Sequence, residues 1–160
     1  MEECDAAVVL VINNEGRILI IKRKERNNDP WSGHMALPGG RRQKDEDCKQ
    51  TAIRETKEEV GISPIIIKEL GIYSPRSFSE LKVKAFLGYY NGNDININED
   101  EVEKAFWISP DELIEDKERM LYKNYIIWGM TYRILKDFLK SDRQQLYHLF
   151  SAVAHSSSEE

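Results

Sequence analysis

Apolar and polar positions along this chain fall into short β-branched runs and two stretches of helical period, with no internal repeat. The run AAVVLVI, bounded by NNEG and followed by RILIIKR, predicts a hairpin turning at Gly16. IIIKELGIY, LKVKAFLGYY and KAFWI read as further strands, the second alternating with polar residues ahead of an Asn-Gly turn. Residues 25–40, rich in Asn, Asp, Pro and Gly, read as loop. DCKQTAIRETKEEV predicts a helix: Asp47 and Gln50 have capping-box spacing, and Gly61 stands where a helix ends. Ala52, Ile53, Thr56 and Val60 supply its buried stripe. SPDEL predicts a short helix capped by Ser109, with Pro110 at its first position. Leu121, Tyr125, Trp128, Tyr132, Leu135 and Leu139 recur at spacings of four and three, which predicts one long helix from Lys117 to Lys140 packed on the sheet. Gly129 inside such a helix costs about 1 kcal/mol relative to alanine, so another element should approach it closely. The expectation is one domain over residues 1–150 and a frayed polar tail over 151–160.

Composition narrows the class. With 41% hydrophobic and 32% charged residues in 160, the chain can bury one real core. A net charge of -5 disfavours a duplex nucleic acid surface, which needs basic patches to displace counterions, yet it permits a local basic pocket for a small phosphorylated ligand. No apolar run is long enough for a membrane span and no signal-like leader is evident, so no membrane partner is expected. Cys4 and Cys48 have neither metal-ligand nor redox-motif spacing and read as reduced thiols of a cytoplasmic protein.

The helix ending RETKEEVG changes the picture most. Glu55, Glu58 and Glu59 stand at i, i+3 and i+4, so they project from one side and repel one another. Runs of Glu are usually solvated faces, and the intervening Lys57 fits that reading. These acids, however, crowd the C-terminal end of the helix, where the macrodipole prefers cations. A divalent cation between them would offset both penalties, and hard oxygen ligands select Mg²⁺ or Mn²⁺. Upstream, LPGGRR brings Gly39 and Gly40, which let backbone approach a ligand, and Arg41 and Arg42, which can bind phosphate oxygens. Carboxylates, a glycine loop and arginines converge on phosphoryl chemistry.

On these residues the chain resembles the Nudix hydrolase family, whose box reads G-x5-E-x7-R-E-U-x-E-E-x-G-U with U aliphatic. Gly40, Glu46, Arg54, Glu55, Glu58, Glu59, Gly61 and Ile62 fall on its places, and Thr56 replaces the first aliphatic residue. The resemblance implies an α/β (α+β) fold, a mixed sheet sandwiched between helices in an α/β/α arrangement, with the box as loop, helix and loop. It implies a Mg²⁺ or Mn²⁺ site held mainly by Glu58 and Glu59 with the Gly39 carbonyl, while Glu55 binds metal or helps deprotonate the attacking water. Arg54 and Glu46 would pair to orient loop and helix. A further acid is expected from outside the box, and of Glu99, Glu101 and Glu103 the choice falls on Glu101, at the approach to the strand carrying Trp107. Dimers are common in the family, and the long helix offers an apolar face for a second copy.

The implied reaction is hydrolysis of a diphosphate linkage in a nucleoside diphosphate derivative. GHMALPGG is similar to the G-x3-[FL]-P-G-G end of the signature of the coenzyme A pyrophosphatase branch, and IWGMTYRIL is similar to its I-W-G-x-T segment. Other positions depart: Ile21 replaces a Thr, Lys24 and Glu25 replace Ser-Ala, and Asp29 stands where an Arg is expected. Arg23, Arg26, Arg41 or Arg76 could take over the basic role. His34, Trp31 and Tyr73 are candidate pocket residues, with Arg23, His34, Arg41 and Arg42 as the substrate-binding set. The alternatives are hydrolysis of ADP-ribose or a nucleotide sugar, sanitation of nucleoside triphosphates, and a nucleotide-sensing module without catalysis.

Overall fold

The structure, a computed structural model, describes residues 4–27 and 33–141. Trp31, Asp29 and the expected 151–160 tail lie outside the described residues.

Two strands, β1 (Ala6–Asn13) and β2 (Ile18–Arg23), form the expected antiparallel hairpin. The Asn13 carboxamide oxygen accepts from the backbone N–H groups of Glu15 and Arg17, and Gly16 takes φ 75°, so polar residues close the turn. Where residues 25–40 were expected to be loop, a short strand β3 (Met35–Ala36) occurs and another, β4 (Gly39–Arg41), begins. The helix α1 (Cys48–Val60) follows, and then β5 (Ile65–Tyr73), β6 (Val83–Tyr90) and β7 (Val102–Ile108). In the main sheet β3, β2, β1, β6 and β5 lie in that order, with β4 added to β1 and β7 to β2. The β1–β6 pair is parallel and its neighbours are antiparallel, so the sheet is mixed.

Strand alternation sends one set of side chains to each face. Ala7, Val9, Val11, Leu19 and Ile21 pack with Ala52 and Val60 of α1. Leu10, Ile12, Ile18 and Ile20 pack with Ile134, Leu135 and Phe138 of a second helix, α2 (Gly129–Ser141). The result is the expected α/β/α sandwich, with the two helices on opposite faces of the mixed sheet.

The capping box at Asp47 and Gln50 and the left-handed Gly61 bound α1 as the sequence predicts. Its buried residues include Thr51, Ala52, Thr56, Glu59 and Val60, whereas Ile53 is only partly buried. SPDEL forms a single 3₁₀ turn, Pro110–Glu112, with a capping box between Ser109 and Glu112.

The long helix expected from Lys117 to Lys140 is instead a small sheet followed by a helix. Strands β8 (Ile114–Glu115), β9 (Arg119–Tyr122) and β10 (Tyr125–Trp128) pair antiparallel, and only residues 129–141 are helical. The spacing that suggested a stripe joined residues of two strands to residues of one helix. Positive φ at Lys117, Lys123 and Gly129 interrupts any continuous helix there. Tyr122 pairs with Tyr125 across the two-residue link, and burial alternates with Met120, Tyr122 and Ile127 inside. Gly129 has open space where a Cβ would lie, so its φ of 64°, not a close neighbour, is what suits glycine.

The cysteines also differ from expectation: Cys4 and Cys48 form a disulfide, with Cα atoms 6.2 Å apart. Folding brings the residue ahead of β1 beside the start of α1, a proximity that a separation of 44 residues conceals. The spacing argument for reduced thiols therefore fails, and with it the support it lent to a cytoplasmic setting. No helix among the described residues is long and apolar enough to cross a membrane.

Candidate active site

A cavity of about 680 Å³ opens beside β4, with Glu55, Glu59 and Glu101 among its lining residues. Glu55 and Glu59 are one helical turn apart on α1, while Glu101 arrives from the segment entering β7. Backbone bonds fix that arrival: the N–H groups of Asn98 and Asn96 donate to the carbonyls of Glu59 and Val60, at 2.9 Å each. These are carbonyls of the last turn of α1, which lack partners within the helix. The loop that satisfies them thereby carries Glu101 to the acids. One carboxylate oxygen from each of Glu55, Glu59 and Glu101 lies within 4.8 Å of the others.

The surrounding glycines make the close fit possible. A Cβ on Gly40 would stand 2.6 Å from the Glu55 carboxyl carbon, and one on Gly39 would stand 2.2 Å from the Ala7 carbonyl oxygen. Gly40 thus leaves room for Glu55, and Gly39 lets β4 lie against β1. The Gly39 N–H donates to Glu59 Oε1 at 2.8 Å, and Arg23 Nη1 stands 3.6 Å from Glu59 Oε2.

Burial governs the acids. Glu59 is only 2% exposed, and burial pushes its carboxyl up to about 8 against the pull of the Gly39 N–H and Arg23, with Glu55 and Glu101 adding to the rise. Burial likewise raises Glu55, opposed by its hydrogen bond from Arg54. Three hard oxygen donors this close, two of them biased toward the neutral form when alone, fit a divalent cation that would favour their ionised forms.

Glu58 lies apart from this trio. Its side chain is half exposed and faces Arg54 Nη1 at 3.3 Å. Arg54 also donates to Glu55 at 2.8 Å, to the Arg41 carbonyl at 3.0 Å, and through Nε and Nη2 to Glu46 at 2.9 and 2.6 Å. The Arg54 hydrogen bonds hold the Glu46 carboxyl down at about 2, with help from the Gln43 N–H and the Thr51 hydroxyl. The bond with Glu46 in turn raises Arg54 further above its already high value. Glu46 does not line the cavity; it anchors the arginine that reaches toward the cavity acids.

Of the expected substrate-binding set, Arg23, His34 and Arg41 line the cavity. Arg42 does not: its Nε donates to the Cys4 carbonyl and its Nη1 to the carbonyls of Glu46 and Gln43, so it braces the loop before α1. Among the outside acids that were weighed, Glu103 pairs with Lys22 at 2.7 Å, and only Glu101 joins the cavity. Tyr73 donates to Asp137 and does not line the cavity.

The opposite wall was only partly legible in the sequence, through the IWGMTYRIL resemblance and the candidates His34 and Arg76. Trp128, Met130, Tyr132 and Arg133 line it from β10 and α2, and Arg76 from a single 3₁₀ turn, Arg76–Phe78. Trp128 is 52% exposed and meets the His34 ring edge-on, with centroids 4.8 Å apart. An exposed tryptophan beside a glycine was the available signal, hidden because the segment read as helix interior.

Comparison with known proteins identifies the family and the fold. The NUDIX domain family profile matches residues 3–128. The chain is similar to an ADP-ribose pyrophosphatase from Methanocaldococcus jannaschii, 43% identical over 68 residues, which are 42% of this chain and 38% of that protein. Thus it spans well under half the length of that relative. It is 30% identical to the Nudix hydrolase NudL of Pectobacterium atrosepticum over 149 residues, covering 81% of this chain and 78% of that one. Among solved structures, a NUDIX hydrolase from Nitrosomonas europaea superposes with a TM-score of 0.66 at 21% identity, over 90% of this chain and 75% of the other, which speaks to fold alone.

Proposed function

The chain belongs to the Nudix hydrolase family, and from that premise we propose that it is a metal-dependent hydrolase of a diphosphate linkage in a nucleoside diphosphate derivative, with coenzyme A or an acyl-coenzyme A as the substrate. The observation that carries the reaction is the carboxylate trio of Glu55, Glu59 and Glu101 within a cavity large enough for a nucleotide. A divalent ion held there would polarise the diphosphate and offset charge developing on the leaving phosphate.

The chain's own residues do the remaining work. Glu55, Glu59 and Glu101 would hold the ion, with the Gly39 carbonyl as a fourth candidate ligand. Gly39 N–H and Arg23 fix the Glu59 carboxylate from two sides. Arg54, anchored on Glu46, restrains Glu55, which can also take the proton from the attacking water. Glu58, turned to Arg54, supports that network from the solvent side. Arg41 and Arg23 border the acids and receive phosphate oxygens. His34 and Trp128 offer an aromatic wall for the nucleoside.

The choice of coenzyme A rests on which segments meet at the cavity. His34 through Leu37 and Gly39–Gly40 of GHMALPGG line it, and so do Trp128 through Thr131 of IWGMT. Both segments similar to the coenzyme A pyrophosphatase signature therefore border the space that contains the acids. The similarity to an ADP-ribose pyrophosphatase favours ADP-ribose as the second reading.

A panel of coenzyme A, acyl-coenzyme A, ADP-ribose, dinucleoside polyphosphates and nucleoside triphosphates with Mg²⁺ or Mn²⁺ tests this, with products identified by mass spectrometry. Adenosine 3′,5′-bisphosphate and phosphopantetheine are the expected products. Preferential cleavage of ADP-ribose removes the coenzyme A assignment, and no cleavage of any compound would leave a nucleotide-sensing module.

A further inference from the structure

Among the described residues, Arg133 lines the cavity without an acid beside it. Its Nη2 donates to the Ser74 carbonyl at 2.6 Å, and its buried Nε, like that of Arg23, meets no acceptor. No carboxylate among the described residues lies within ion-pair distance of it, whereas Arg76 pairs with Glu118 at 3.5 Å and Arg23 faces Glu59. A guanidinium has five donors, and a partly buried one that keeps its charge without an acid is unfavourable unless an anion joins it. The side chain also lines the cavity that contains the carboxylate trio.

Position makes that charge informative. Glu55 and Glu59 rise from α1 on one face of the sheet, and Arg133 comes from α2 on the other. Arg23 and Arg41 line the cavity with the acids, and Arg23 stands 3.6 Å from Glu59, so a phosphate near the acids would meet these arginines. Arg133, on the other helix, is left for a second anionic group of the same ligand. Trp128, against His34, also lines this cavity.

We propose that Arg133 is a specificity-determining residue that binds a second phosphate, carried on the ribose of the nucleotide and distinct from the diphosphate that is cleaved. The inference rests on the nucleoside diphosphate reading of the cavity and deepens its coenzyme A form, since the adenosine end of coenzyme A bears such a phosphate. Ser74, through its carbonyl, aims the guanidinium, and the open donors form charge-assisted hydrogen bonds to the phosphate. The role is recognition, with no bond made or broken at Arg133.

Calorimetric titration of the intact protein with adenosine 3′,5′-bisphosphate and with AMP tests it, since the two probes differ only in the ribose phosphate. The wild type should bind the bisphosphate about tenfold or more tightly than AMP. In Arg133→Gln that ratio should fall to near one, and Arg133→Lys should restore part of it by keeping the charge. Equal affinities in the wild type, or a preference that survives in a folded Arg133→Gln, overturns the proposal. The wild-type ratio and the Lys variant still decide the matter if the Gln variant does not fold. The product panel separates the two ideas: cleavage of coenzyme A without a bisphosphate preference removes only this inference, and a bisphosphate preference without cleavage of coenzyme A removes only the substrate assignment.

Discussion

The two sides of the cavity are built on different principles. The acid side is concentrated: Glu55 and Glu59 share one helix with Arg54, and Glu46, Gly39 and Gly40 lie within 20 residues of Glu59 in sequence. The opposite wall is dispersed, drawing His34 from the segment before β3, Arg76 from a 3₁₀ turn, Trp128 from β10 and Arg133 from α2. Arg54 joins Glu46, Glu55 and Glu58 on the first side, and Glu59 is met by the Gly39 N–H and Arg23, so these acids are held in a shared network. Groups of the second side have fewer restraints, and Trp128 stands half in solvent. Rigid positioning suits charges that must act on a reacting phosphate, while a looser aromatic and cationic wall suits recognition of the rest of a ligand.

The contrast is tested most strongly by removing charge on the acid side. Glu59→Gln and Glu55→Gln should each lower kcat by about a thousandfold, equivalent to about 4 kcal/mol in barrier, with the fold retained by circular dichroism. Glu58→Gln should lose less, because its side chain lies outside the trio. Steady-state kinetics with saturating Mg²⁺ checks both, and near-normal rates in Glu59→Gln would remove the metal site.

The Cys4–Cys48 bond is the next lever on that stiffness. It ties the start of α1 to the residue ahead of β1, closing a loop of 44 residues. By chain entropy such a crosslink contributes about 4 kcal/mol. Reduction with dithiothreitol, or Cys48→Ser, should therefore lower the melting temperature by many degrees. An unchanged melting temperature would show that the acid side does not depend on this link.

On the other wall, Trp128→Ala should raise KM about tenfold and lower kcat far less, because a wall that binds ground and transition states alike acts on KM. If kcat falls as steeply as in Glu59→Gln, the division between the two sides is wrong.

How legible each side was in the sequence follows from the same contrast. The helix carrying the acids announces itself through local rules: the Asp47 cap, the Gly61 stop and acids at i, i+3 and i+4. Those rules do not say which acid turns inward. The Asn96 and Asn98 bonds to the end of α1, which are long-range, bring Glu101 beside Glu55 and Glu59, while Glu58 meets Arg54 one turn earlier on the same helix. Arg41 and Arg42 are adjacent and chemically alike, yet alternation along β4 and the loop after it sends one to the cavity and the other to the Cys4 carbonyl. Trp128 and Arg133 lie in IWGMTYRIL, noted by resemblance, but a false periodicity hid their place on the wall, because apolar strand residues at 121, 125 and 128 mimic a helical stripe. The disulfide was hidden because it joins segments far apart in sequence that meet only in the fold.

The smallest expected effect concerns the Glu46–Arg54 pair, where the acid side anchors its own restraint. The folded Glu46 carboxyl sits at about 2, below its ordinary value of 4.5, chiefly because Arg54 hydrogen-bonds the ionised form. A carboxyl depressed by folding favours the native state only while it is ionised. Its contribution is therefore complete above pH about 4.5 and declines as pH falls toward 2. Glu46 is 13% exposed at its side chain and Arg54 24%, so solvent screens the pair only in part. Melting curves of wild type and Glu46→Gln, taken without added metal, should differ most near neutrality and converge toward pH 2. A difference that stays constant across this range would mean that Glu46 acts through shape and its Gln43 and Thr51 contacts, with the charge on Arg54 contributing nothing to how firmly Glu55 is held.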